Sequence, residues 1–110
     1  MKQEGHNVWR FALRAILRNT NAVTIKDWCK SAGITGATAK SLIGYSTGAT
    51  IAELCSALGC ESRALSSIRL RALKQLRCWL VSNPHVCPKF IKILAEYAPK
   101  DDGPQPSRLR

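Results

Sequence analysis

Apolar residues recur every three or four positions along most of this 110-residue chain. Nowhere do they alternate with period two over a useful length. The spacing is that of amphipathic helices, and no strand is expected. Breakers at Asn19-Thr20-Asn21, Gly33, Gly44 to Gly48, Gly59 and Ser82-Asn83-Pro84 cut the pattern into six pieces. Residues 8–18 read as the first helix, with Trp9, Ala12, Leu13 and Ile16 on one face and Arg10, Arg14 and Arg18 spaced four apart on another. Residues 24–32 form the second, started by Thr24 and stopped by Gly33. The third runs from Thr35 or Gly36 to Tyr45, the fourth over 50–58, and the fifth and longest from Ser62 to about Leu80. The sixth starts between Pro84 and Pro88, near residue 86, and ends at Tyr97. The expected fold is an all-α bundle of about six helices forming one domain over 1–98. The segment 99–110, rich in proline and charge, is expected to be a disordered tail.

Two stretches look alike. Thr24-Ile25-Lys26-Asp27-Trp28-Cys29-Lys30-Ser31-Ala32-Gly33-Ile34 and Thr50-Ile51-Ala52-Glu53-Leu54-Cys55-Ser56-Ala57-Leu58-Gly59-Cys60 share Thr, Ile, an acid, Cys and Gly at matched places. Either a duplication or two uses of one local solution, a short helix closed by a glycine turn, accounts for the match.

Charge narrows the function. Lys and Arg number 17 against 7 Asp and Glu, a net charge of +10. So large an excess on a small domain calls for a polyanionic partner, nucleic acid first and an anionic membrane surface second. A hydrophobic content of 45% excludes wholesale disorder. No run reaches the roughly 18 apolar residues of a membrane span. The arginines at 10, 14 and 18 interrupt what would be the core of a secretory signal. With five cysteines, an odd number, and no such signal, reduced thiols in a cytosol are expected.

The candidate chemistry sits in 50–80. A short helix, a glycine turn and a crossing second helix make a helix-turn-helix unit. Its second helix must bury one apolar face and offer a basic, polar one to the major groove. Leu54, Cys55 and Leu58 are the inner positions of the first helix, and Gly59 is the turn. On the second helix Leu65, Ile68, Ala72, Leu76 and Trp79 share one third of the wheel. Arg63, Ser67, Leu70, Arg71, Lys74 and Arg77 lie opposite. The plainer alternative is a helical bundle with a solvated basic helix.

Ile34-Thr35, Gly48, Glu53-Leu54-Cys55, Leu58-Gly59, Leu65 and Leu76 fall, without a gap, in a pattern that resembles the LuxR/FixJ-type helix-turn-helix output domain. That family opens with Leu-Thr and places Gly before a helical Glu-Ile-Ala. Leu-Gly, then a long helix with Val and a closing Lys-Leu, follow. The resemblance covers about 34–97, with 81–97 resembling the fourth helix, which usually serves dimerisation. Ile68 stands in place of the family's usual His, Ser41 in place of an apolar residue and Gln75 in place of the closing Lys. A second likeness is shorter. Thr24-Ile25-Lys26-Asp27, Ala32-Gly33-Ile34-Thr35 and Ala37-Thr38 resemble the opening unit of LacI-type repressors over 24–43. Its second helix carries one basic residue, Lys40, against five between Arg63 and Arg77, so charge favours the later unit as the DNA reader. The LuxR-type likeness implies base-edge contacts at Ser66, Ser67 and Leu70, where hydroxyls suit either base type and leucine suits a thymine methyl. Arg63, Arg69, Arg71, Lys74 and Lys40 would hold phosphates.

Other chemistry is sparse. Cys29 and Cys55 are expected in the core, as are Trp28 and Trp79, while Trp9 suits either core or partner. Cys78, His85 and Cys87 lie close in sequence and Cys60 could join them, but their spacing does not fit a paired zinc pattern. His6 and His85 are the only histidines, and no nucleophile–base order or phosphate loop occurs, so neither enzyme activity nor a cofactor is expected. The expected function is a small bacterial-type transcriptional regulator, cytoplasmic and nucleoid-associated, binding double-stranded DNA as a homodimer. No sensor pattern is visible, so abundance or a protein partner would set its activity. The first helix would either pack on the core or build the dimer. The alternative is an adaptor docking on an acidic partner, such as RNA polymerase or another regulator, through Trp9, Phe11 and Phe90. Charge-driven binding to structured RNA is a third reading, with no specific motif behind it.

Overall fold

The computed structural model describes the backbone of residues 2–102 and the side chains of residues 8–96. Among them are six helices and no strand: α1 (Lys2–Arg18), α2 (Ala22–Ala32), α3 (Gly36–Thr47), α4 (Ile51–Leu58), α5 (Ser62–Ser82) and α6 (Pro88–Asp102). The all-α expectation therefore holds.

Helix ends follow local chemistry. α2 begins before Thr24: Asn21 is its cap, its side chain accepting from the Val23 N–H at 2.7 Å. A side-chain oxygen there satisfies one of the first-turn N–H groups that have no partner within the helix. α4 carries a full capping box. Glu53 N–H donates to Thr50 Oγ1 at 3.1 Å, and Thr50 N–H donates to Glu53 Oε1 at 2.8 Å. α3, α5 and α6 each run beyond their expected ends. α6 carries on past Pro99 to Asp102, inside the segment expected to be disordered, and the rest of that tail lies outside the described residues. α1 likewise starts at Lys2 rather than Val8.

α1 lies along α6, and α3 along α5, with α2 against α3 and α5. Their shared core holds Leu13 and Leu17 of α1, Ile25 and Cys29 of α2, Leu42 and Tyr45 of α3, Leu76 and Leu80 of α5, and Phe90 of α6. Each fully buried leucine there contributes about 2 kcal/mol by leaving water. The first helix thus packs on the core. Trp9 is 9% exposed and Phe90 is fully buried, which corrects the reading of both as partner anchors; Phe11, 65% exposed, remains outside. Leu17, Leu73 and Leu80 are core residues that the wheel assignments had not included, while Trp28 and Trp79 only flank the core.

One close contact places α4. Leu54 lies against Gly44 of α3, where an added Cβ would meet Leu54 Cδ2 at 3.0 Å. The small residue lets the helices approach. Ser41 is fully buried without disturbing the core, because its Oγ donates to the Thr38 carbonyl at 2.8 Å within its own helix.

Candidate nucleic-acid interface

The turn between α4 and α5 sets the candidate site. Gly59 ends α4 at φ 65, and the next N–H, of Cys60, donates back to the Cys55 carbonyl at 3.0 Å. A left-handed residue followed by that back-bond closes the helix and turns the chain sharply. α5 then leaves with Leu65 buried as its first anchor. Its inner face continues through Ala72, Leu73, Leu76 and Leu80.

The outer face of α5 is basic and polar. Arg63, Ser66, Ser67, Arg71 and Lys74 are exposed. No Asp or Glu occurs between Ser62 and Ser82, so nothing on the helix itself offsets their charge. Leu70 is half-buried between this face and α1. Ser66 Oγ donates to the Ser62 carbonyl at 3.3 Å, a weak tie that a base edge can replace. Lys40 is exposed too, but on α3.

Two arginines of α5 depart from the wheel. Arg69, grouped by sequence with the phosphate-holding set, is half-buried and lies 4.5 Å over the Tyr45 ring. Arg77, placed opposite the core, lies 4.3 Å over the Trp9 ring. From α1, Arg18 approaches the same tyrosine at 5.9 Å and Arg14 lies over Phe11 at 4.9 Å. The α1 stripe of arginines is thus not merely a solvated face: it borders α5, and Arg10, Arg14, Ser66 and Arg69 line one pocket with Tyr45. Tyr45 had no functional signal in the sequence. Its role depends on residues from α1 and α5 that are remote along the chain.

The cysteines are free. Burial pushes the Cys29 thiol above its usual value. Loss of hydration, then the neighbouring Cys55, does the same at Cys60. Both changes reduce thiolate and hence reactivity. Cys87, considered at the sequence level beside Cys78 and His85, is buried in the core. Among the described residues no three His, Cys, Asp or Glu side chains gather as a metal set. No helix among them is long and apolar enough to cross a membrane.

No protein-family model, no curated protein and no solved structure matches the chain significantly.

Proposed function

We propose that this protein is a sequence-specific DNA-binding transcriptional regulator of the LuxR/FixJ type, nucleoid-associated, with α5 entering the major groove. One observation carries the reading: a short capped helix and a left-handed glycine deliver a long helix whose open face is basic and free of acid. Arg63, Arg71 and Lys74 hold backbone phosphates, giving affinity and register, and Lys40 adds a further cation from α3. Ser66, Ser67 and Leu70 read base edges and a thymine methyl. The positions of the resembling motif support the reading. Thr35 stands at the N-cap position of α3 without a side-chain cap bond, Gly48 closes α3, Glu53-Leu54-Cys55 lies in α4 and Gly59 forms the turn. A homodimer belongs to the proposal, because paired half-sites double the contact of one small module.

The test is fluorescence anisotropy on duplex DNA over a salt series, with selection and sequencing of bound duplexes. Wild type binds with an enriched, two-fold symmetric motif. The double variant Arg71→Glu, Lys74→Glu keeps its helical circular dichroism, loses DNA binding at moderate salt and lowers the log–log salt slope by roughly two. Undiminished binding by that variant removes the proposed face. Equal binding to structured RNA, or binding that enriches no motif, removes sequence-specific regulation.

A further inference from the structure

The proposed reading centres on α5, yet a further cluster of arginines lies beside it. A pocket of about 190 Å³ opens between α1 and α5, lined by Arg10, Arg14, Tyr45, Ser66, Arg69 and Leu70. Three guanidinium-bearing residues and no carboxylate border it. Like charges brought together repel, and the lining brings no acid to Arg14 and Arg69.

Arg14 and Arg69 rest on aromatic faces. Arg69 lies over Tyr45 at 4.5 Å and Arg14 over Phe11 at 4.9 Å. A guanidinium resting on a ring spends no N–H donor on the contact, so its planar fork stays available for an oxyanion. Arg14 Nε and Arg69 Nε are both shielded from solvent and have no hydrogen-bond partner. A buried donor left unsatisfied costs roughly 1–3 kcal/mol, more at a charged group. Water cannot reach these two atoms freely, and no protein acceptor meets them. An oxyanion entering the pocket would be held by the outer N–H groups of the two forks and would offset the repulsion between Arg14 and Arg69.

We infer that the α1–α5 cleft is a phosphate-binding site, in which Arg14 and Arg69 grip one phosphoryl group, with Arg10 adding charge and Ser66 a hydroxyl. On the DNA-binding reading, on which this site rests, the phosphoryl group belongs to a backbone phosphodiester flanking the groove that α5 occupies. Ser66 ties the two together: it lines the cleft and is exposed on the α5 face assigned to base edges. α1 therefore acts as a second, sequence-independent arm of the interface. A phosphodiester contact there sets register and not sequence.

The experiment uses the full chain with two probes, inorganic phosphate and duplex DNA. The Nε–H resonances of Arg14 and Arg69 are followed by NMR, each assigned by its loss in Arg14→Gln or Arg69→Gln. Arg14→Gln is the main variant, because its ring contact is to exposed Phe11 and its loss leaves the core untouched. Arg69→Gln, which also removes a contact to buried Tyr45, is interpreted only with an unchanged thermal melt. The expected result is a saturable shift of both resonances with phosphate, and the same resonances moving with DNA. Arg14→Gln should then lower the log–log salt slope by about 0.9, equivalent to about eightfold weaker binding at about 0.1 M salt, on every duplex sequence. A phosphate response without any duplex binding keeps the pocket as a phosphate site and overturns its DNA source together with the DNA-binding reading. Duplex binding whose slope is unchanged in Arg14→Gln, with neither resonance responding to phosphate, overturns the pocket and leaves α5 as the reader.

Discussion

The matched stretches beginning at Thr24 and Thr50 fold into helices that close in the same way and sit at different depths. Gly33 and Gly59 both end their helices in left-handed geometry, at φ 75 and φ 65. Yet Ile25 is fully buried and its counterpart Ile51 is 53% exposed. Cys29 and Ile34 are buried, whereas Cys55 and Cys60 are only half-buried. α2 is pressed between α3 and α5, so its 25/29 face meets core on two sides. α4 is shorter and buries only Leu54, against Gly44 and the start of α5. A shared local pattern secures a shared helix and turn. Depth comes from what the rest of the chain lays across them. The shallow copy is the one that leads into the open basic face.

The difference in depth gives the largest expected effect. Ile25→Ala should lower the free energy of unfolding by about 2–5 kcal/mol, through lost transfer energy and the cavity left behind. Ile51→Ala, the same chemical change at the matched position, should stay within about 0.5 kcal/mol. Urea unfolding of the two variants decides the point. Equal costs would mean that α4 is packed against a partner surface in solution, and the contrast between the two copies would dissolve.

The same contrast marks what was legible beforehand. Six helices, the glycine stops at 33 and 59 and the basic face of α5 follow from spacing and residue type, which are local properties. Helix starts were less legible. Thr24 is of a residue type that favours helix starts, but Asn21 three residues earlier competes for the same role and takes it. The wheel of α5 was turned slightly away from its true inner face. Leu73 and Leu80 complete the core, and Arg69 points to Tyr45, because α3, and to a lesser extent α1, packs against that side of α5. No local periodicity reveals where a remote helix will dock. For the same reason the Arg10, Arg14 and Arg18 stripe showed its charge in the sequence but not its neighbour.

A second pair of substitutions examines what the copies share. Neither Gly33 nor Gly59 has any atom within 4 Å of the place a Cβ would occupy, so cost arises from backbone geometry alone. Gly33→Ala and Gly59→Ala should each destabilise by about 1–2 kcal/mol, the penalty of left-handed geometry for a residue with a side chain. Thermal unfolding monitored by circular dichroism gives both values. Similar values would show that the turn is the same device in both copies. A much larger value at Gly33 would mean that the deep copy cannot relax its turn as the shallow one can.

The smallest effect isolates the start of each helix. Thr50 accepts from Glu53 N–H and anchors a reciprocal pair of bonds, whereas Thr24 lies inside α2 past its cap. Removing the Thr50 hydroxyl leaves Glu53 N–H to water and breaks half of the capping box. Thr50→Ala should therefore cost about 1 kcal/mol. At Thr24 the substitution removes a β-branched residue from a helix interior, where alanine is the better helix former, so Thr24→Ala should be neutral within about 0.5 kcal/mol. Denaturant midpoints at constant slope separate the two. If Thr24→Ala matched Thr50→Ala, threonine would be capping both helices and the repeat would extend to their starts. If it is neutral, the likeness of the two stretches is real at the glycine and accidental at the threonine. Selection on a short helix that ends in a left-handed turn then explains the glycine match without an ancestral duplication.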